Sequence, residues 1–204
     1  MKPIKVKLCG FLKYSDIVDA ISLGVDYIGL NLIVRSPRCI SVDTARLWNQ
    51  QLITDNLRTK IELIALVDTP VFPDFFDIFQ IYGEIKPQPG KRNWKHFSKD
   101  EIVNKEIRAS FERIVFDLAK NTQFTAGVET QSHFADYESL RIQGCSLVLA
   151  GGLNPENITT VCKDVHPEVV DVASGLESSP GIKDYQKMKN FMSKIKLHNQ
   201  QRNN

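Results

Sequence analysis

No apolar run in these 204 residues is long enough to cross a membrane. The start, Met1-Lys2-Pro3-Ile4-Lys5-Val6-Lys7, leads straight into a strand pattern, so neither a signal peptide nor a transmembrane span is expected. Cysteine is sparse. Cys9, Cys39, Cys145 and Cys162 stand at irregular spacing with no Cys-x-x-Cys pair, which argues against a zinc ribbon, a redox dithiol or a disulfide scaffold. That usage fits a reducing cytosol, and the expected location is cytoplasmic. An excess of one charge is also missing. Twenty-six basic residues face 24 acidic ones, and a net charge of +2 makes no case for a nucleic-acid or membrane partner. What remains is an ordinary globular balance, 42% apolar and 25% charged, in a chain that suits one large α/β domain.

Hydrophobic period supplies the elements. Ile4–Leu8 alternates apolar and basic residues as a first strand ending at Cys9-Gly10. Ser15 is placed as the cap of a helix carrying Ile17, Val18, Ala20 and Ile21, and Gly24 as its left-handed stop. Tyr27–Leu32 reads as a second strand, and Ser41 opens a helix whose apolar face is Val42, Ala45, Trp48 and Leu52. Ile61–Val67 is a third strand, with the nearly unbroken apolar run that parallel sheets prefer. A short helix is expected over Phe72–Asp77, and a fourth strand over Ile78–Tyr82, closed by Gly83.

The pattern then fails. Ile85–Lys99 holds Pro87, Pro89 and Gly90 among basic and aromatic residues, and reads as a solvated surface loop, with a fifth strand near Glu101–Val103. Alternation returns at Arg113–Asp117, followed by a polar loop, a helix over Phe134–Gln143 and a strand at Ser146–Ala150. Asn154-Pro155 signals a helix start, Val169–Ala173 the last strand, and Tyr185, Met188, Met192 and Ile195 stripe a final helix. The expected domain spans residues 1–196, with a polar tail over 197–204. Strands alternating with helices suit either an open doubly wound sheet or a closed barrel. Chemistry-bearing residues recur at strand ends along the whole chain, which favours a (β/α)8 TIM barrel, irregular around strand five.

Two strand ends stand out. Leu147–Ala150 runs into Gly151-Gly152-Leu153-Asn154-Pro155, and Val170–Ala173 into Ser174-Gly175-Leu176-Glu177. Glycines let backbone N–H groups approach an anion, and helix N-termini add a partial positive charge, so the tandem reads as a phosphate cup. In barrels of this kind the phosphate site lies after strands seven and eight.

Lys7-Leu8-Cys9-Gly10, Gly24–Leu30 with Ser36-Pro37-Arg38, Leu149–Asn157, and Val170–Glu177 with Pro180–Asp184 together resemble phosphoribosylanthranilate isomerase, in family order and spacing across nearly the whole chain. The resemblance implies a (β/α)8 barrel with no metal and no cofactor. It implies an Amadori rearrangement of N-(5-phosphoribosyl)anthranilate to 1-(2-carboxyphenylamino)-1-deoxyribulose 5-phosphate, in tryptophan biosynthesis. Cys9 then becomes the base and Asp117 the acid. Arg38 pairs with the anthranilate carboxylate, Gln80 and Gly127 contact substrate, and Gly151, Gly152, Ser174 and Gly175 hold the phosphate. A thiol acting as base calls for an electropositive setting, and a carboxyl acting as acid calls for burial or a nearby anion. The expected partner is the small phosphosugar substrate, in a monomer or homodimer.

The chain departs from the family pattern in three places. Tyr82 replaces the histidine that usually follows the fourth-strand glutamine, Phe124-Thr125-Ala126-Gly127 keeps only the last glycine of a glycine-rich loop, and Ile85–Lys99 is irregular. Two alternatives follow from these: a diverged barrel isomerase acting on another phosphosugar amine, or a non-catalytic phosphosugar-binding protein. Retention of both Cys9 and Asp117 speaks against the second. Indole-glycerol-phosphate synthase, a neighbouring barrel, relies on lysine chemistry with no obvious counterpart at these strand ends.

Overall fold

The computed structural model describes residues 2–97, 105–117 and 146–201. Eight parallel strands close into a barrel: β1 (Lys5–Cys9), β2 (Tyr27–Asn31), β3 (Glu62–Val67), β4 (Ile78–Ile81), β5 (Arg92–Phe97), β6 (Arg113–Asp117), β7 (Leu147–Ala150) and β8 (Val169–Val172). β8 pairs back onto β1, with Lys7 opposite Asp171. The chain is a (β/α)8 barrel. Between the first strands lie α1 (Tyr14–Ser22) and α2 (Val42–Thr54), and after β7 and β8 come helices Ile158–Val165 and Tyr185–Gln201. No helix among the described residues is long and apolar enough to cross a membrane.

Successive side chains on a strand face opposite ways, and here one way is the helix layer and the other the barrel lumen. Leu63, Ala65 and Val67 of β3 join the outer core with Phe79, Ile81, Leu149 and Val170. Ile64 and Leu66 turn inward to meet Tyr27, Ile78, Trp94, Val115, Val148 and Val169. Tyr27 and Trp94 meet edge to face, ring centres 5.2 Å apart, and fill the lumen below the site. The same inward rows carry Lys7, Gln80 and Asp171, all buried. Period two alone thus delivers three polar side chains to the barrel interior, just beneath the strand ends where Cys9 and Asp117 sit.

Several expectations need correction. The segment read as a loop contains β5: Trp94 is fully buried inside, while Asn93 folds back to the Gln88 and Lys91 carbonyls at 2.9 and 2.7 Å. Its outward positions are Asn93, Lys95 and Phe97, so only the last shows an apolar signal. The fifth strand is therefore Arg92–Phe97, and Glu101–Val103 lies outside the described residues. Residues 72–77 form turns rather than a helix. Arg58 holds them by donating to the Phe75 carbonyl and the Asp77 carboxylate, while Phe75 packs on Phe76, and Phe72 and Phe76 both meet Phe79.

Ser15 lies inside α1, whose cap position is Lys13 and has no side-chain cap. Ser41 does cap α2, accepting from the Thr44 N–H at 3.0 Å. Gly24 adopts a positive φ of 86° just past α1, as its stop role requires. The final helix runs to Gln201 instead of giving way to a tail at Leu197. Asn199 explains this: its side-chain amide bonds both the N–H and the carbonyl of Ile4, at 2.9 and 3.0 Å, pinning the last turn to the start of β1. The helix expected over Phe134–Gln143 and the loop over Thr122–Gly127 lie outside the described residues.

Candidate active site

A cavity of about 560 Å³ opens at the C-terminal ends of the strands. Cys9 from β1, Gln80 from β4, Asp117 from β6, Gly151 and Gly152 after β7, Ser174 after β8, and Arg38 from the loop after β2 all line it. Sequence positions 9, 38, 80, 117, 151, 152 and 174 are thus brought to one wall-to-wall space. Gly175 is not part of the lining. It sits behind it, where a Cβ would come within 2.0 Å of the Leu153 carbonyl oxygen, so glycine is what lets the two phosphate-cup turns meet. Gly127 lies outside the described residues.

Two glycines make room for Cys9 and Arg38. Gly29 of β2 lies opposite Cys9, and a Cβ there would reach the Cys9 sulfur at 2.8 Å and Lys7 Cε at 3.0 Å. Gly10, with φ at 77°, leaves space for the Arg38 stem, which a Cβ would meet at 2.4 Å. The Cys-Gly pair therefore places a thiol and clears the path of the arginine.

Under the thiol lies a buried polar relay. Lys7 Nζ donates to Asp171 Oδ2 at 2.5 Å and to Gln80 Oε1 at 2.7 Å. Since an ammonium only donates, the Gln80 oxygen must face it, which turns the Gln80 nitrogen to the Tyr82 hydroxyl, 3.0 Å away. Both polar ends of Gln80 are therefore engaged by the chain itself. Burial alone would lower the Lys7 pKa, yet Asp171 and Cys9 outweigh it and raise it, so the ammonium stays charged. Burial pushes the Cys9 thiol up, helped by Asp171, and the counter-pull of Lys7 and Lys183 does not cancel it. The expected cationic neighbours are present, but without ligand they leave the thiol in its neutral form.

Arg38 does not stand free. Its Nε and Nη2 donate to the two Glu177 carboxylate oxygens at 2.8 and 2.6 Å, a bidentate clamp. Lys183 Nζ joins at 2.9 Å and also donates to the Cys9 carbonyl at 2.6 Å. A hairpin of β9 (Glu177–Ser179) and β10 (Ile182–Lys183) folds these groups over the barrel mouth. Burial would raise the Glu177 carboxyl, but Arg38 and Lys183 outweigh it and hold it below the usual range. Burial lowers the Lys183 pKa against the pull of Glu177, and of the three groups it is Arg38 that lines the cavity. The clamp uses the side edge of the guanidinium, so its Nη1–Nη2 edge is left to meet a second carboxylate.

The glycine cup is tied down from behind. Asn154 Oδ1 accepts from the Glu156 and Asn157 N–H groups, both at 2.9 Å, and Asn157 Nδ2 donates to the Gly152 carbonyl at 2.9 Å. Those two amides are consumed by the chain, so an anion here must be met by the glycine turn itself. Gly151 and Gly152 hold φ at 92° and 67°, which bends the backbone into the cavity.

Beside this cup, where Asp117 pairs with Ala150 on the neighbouring strand, Asp117 Oδ2 lies 3.1 Å from His96 Nε2, and the His96 ring stacks on Tyr82, centres 4.1 Å apart at 20°. Lys7, His96, Asp171, Glu177 and Lys183 were not singled out from sequence. Asp171 carried a signal, because it is a charged residue inside an otherwise apolar strand. His96 carried none, since β5 itself was hidden.

The family model for N-(5'-phosphoribosyl)anthranilate isomerase matches residues 74–194. The chain belongs to this family. The isomerase of Legionella pneumophila (strain Lens) is 30% identical over 94% of this chain and 97% of its own length. That of Acinetobacter calcoaceticus is 27% identical over 94% and 96%. Among solved structures, monomers of the dimeric phosphoribosylanthranilate isomerase of Thermotoga maritima superpose with a TM-score of 0.72 at 26% identity, covering 95% of this chain and 99% of that one. The chain thus matches these relatives over nearly all of their length. The Tyr82 departure then gains a structural partner: the ring at that position stacks on a histidine from the next strand.

Proposed function

We propose that this chain is the isomerase that converts N-(5-phosphoribosyl)anthranilate to 1-(2-carboxyphenylamino)-1-deoxyribulose 5-phosphate, in the cytoplasm, as a step of tryptophan biosynthesis. The observation that carries the reading is the convergence of Cys9, Asp117, Arg38 and the two glycine turns on one cavity. In this reading the phosphate sits on Gly151, Gly152 and Ser174, and the anthranilate carboxylate takes the open edge of Arg38. The sugar then lies between Cys9 and Asp117.

Asp117 gives a proton to the furanose ring oxygen. The C1–O bond breaks and the amine lone pair forms a cationic Schiff base. Cys9 as thiolate removes the C2 proton, and the electrons neutralise the iminium to give an enolamine. Protonation at C1 and loss of the C2 hydroxyl proton complete the ketone and restore both groups. The resting thiol is neutral, so it gives its proton to solvent before it acts and regains one from solvent after the product leaves. The positive charge it needs as neighbour is supplied by the Schiff base, whose formation favours the thiolate at the moment it is used. No metal or cofactor enters the scheme.

Complementation of a tryptophan auxotroph lacking this isomerase tests the reading, with Cys9→Ala and Asp117→Asn alongside. Growth with the wild type and none with either variant is expected. A soluble wild type that fails to rescue would favour an isomerase for another phosphosugar amine. Rescue by both variants would remove the acid and base assignments.

A further inference from the structure

We infer that His96 is a positioning residue for Asp117: its Nε2–H donates to Asp117 Oδ2 and holds the carboxyl group in place in the cavity wall. This deepens the proposed isomerase reading and rests on it. Three observations converge. His96 Nε2 and Asp117 Oδ2 are 3.1 Å apart, from adjacent strands β5 and β6. Asp117 Oδ1 is buried with no hydrogen-bond partner among the described residues. The His96 ring is fixed by its stack on Tyr82, whose hydroxyl is in turn tied to Gln80 and, through it, to Lys7.

Asp117 Oδ1 is closed off, so the orientation of the carboxyl and the stability of its charged form depend on what Oδ2 meets. The imidazole N–H is a donor aimed at that oxygen. Once the proton has left for the ring oxygen, the same N–H bond stabilises the carboxylate that remains. Removing the imidazole therefore affects the step in which Asp117 changes charge, and not the affinity for substrate. Tyr82 explains why the imidazole comes from β5: the ring at the end of β4 is the platform, and the histidine that rests on it is the functional group. His96 also lines the cavity, so the split between kcat and KM is what separates an effect through Asp117 from direct contact with substrate.

The experiment compares wild type, His96→Ala, His96→Gln, Asp117→Asn and the His96→Ala/Asp117→Asn double variant in steady-state isomerisation. His96→Ala is expected to lower kcat about 10–100-fold with KM within about threefold, as loss of a group acting only at the transition state should. His96→Gln, which keeps an N–H donor, should recover about tenfold. The double variant should be no slower than Asp117→Asn, because the residues act as a unit. An unchanged kcat in His96→Ala, a loss confined to KM, or no recovery in His96→Gln overturns the inference. A wild type without isomerase activity refutes the functional reading instead. The pairing is then judged on its own by imidazole ¹⁵N–¹H spectra of the folded protein. A protected, downfield His96 Nε2–H that disappears in Asp117→Ala supports it, and a resonance unmoved by that substitution sinks it.

Discussion

The two rims of the barrel carry the same kinds of ion pair but place them in different solvent. At the strand starts, Arg92 bridges Glu62 and Glu112, and Arg113 reaches Glu168; four of these five side chains are a third or more exposed. At the strand ends and just inside, Lys7–Asp171 and Arg38–Glu177–Lys183 are held at 0–18% exposure. Water screens the first set, and such pairs contribute little. The second set is cut off from water, where an unmatched charge is costly and a matched one is rigid. The lesson is that charge at the lower rim closes the barrel, while charge at the upper rim fixes where reacting groups point.

The largest expected difference is catalytic. Asp117→Asn or Cys9→Ala should reduce kcat by about 10²–10⁴-fold, the usual worth of a positioned acid or base, while Arg113→Ala, on the same strand as Asp117, changes kcat less than about threefold. Steady-state assay of purified proteins checks this. If Arg113→Ala matched Asp117→Asn, the division between the two ends of β6 would be wrong.

Next in size is the buried pair. Lys7→Met leaves the Asp171 carboxylate inside the barrel without its cation, and should cost about 3–5 kcal/mol in urea unfolding. Asp171 Oδ1 already lacks a partner among the described residues, so no second bond can take over. The Lys7→Met/Asp171→Leu double variant should regain most of that stability while remaining inactive. A Lys7→Met protein as stable as wild type would show that water reaches the site well enough to solvate Asp171.

Why was so much of this legible in the sequence, and why not the rest? Strands β1, β3 and β6 announce themselves through apolar alternation or runs, and the glycine turns through residues that other side chains cannot replace. The barrel and the places of Cys9, Asp117 and Arg38 follow from these signals and the family resemblance. β5 was missed because its outward face shows Asn93 and Lys95, whose partners are a loop carbonyl and the Gly83 carbonyl. A pattern reader has no means to see that those polar side chains bond backbone. With β5 went His96. The Arg38 clamp was hidden for another reason: Glu177 is 139 positions away, and nothing local pairs them. Lys7 was hidden by its own chemistry, since a basic residue in an alternating strand reads as solvent-facing until the barrel closes around it.

A titration separates the rims more finely. Glu177 has its pKa lowered, with burial opposing and Arg38 and Lys183 prevailing, and Glu112 has it lowered, with burial opposing and Arg92 prevailing. A folded pKa below the unfolded value adds stability that is complete above the ordinary carboxylate range and is lost as pH falls through the folded value. The urea midpoint gap between wild type and Glu177→Gln should therefore be widest near pH 7 and narrow steadily below pH about 4. For Glu112→Gln the same gap should be present but smaller, and it should shrink further in 1 M salt, where charges more than about 3 Å apart are screened. Equal gaps, equally sensitive to salt, would mean that the upper rim is as wet as the lower one.

The smallest effect should come from Arg92. It meets Glu112 through two bonds of 2.8 Å and also contacts Glu62, so its geometry is as good as an exposed pair can have. Geometry is not what limits it. The guanidinium is 43% exposed and both carboxylates are 34% exposed, so much of what it gains from them it would otherwise gain from water. Arg92→Ala should cost about 0.2–1 kcal/mol, toward the upper end because two carboxylates are released rather than one. Isomerase kinetics should not move. A loss of several kcal/mol would mean that Arg92 acts from inside the barrel, as a plug beneath Trp94, and that the lower rim is part of the core.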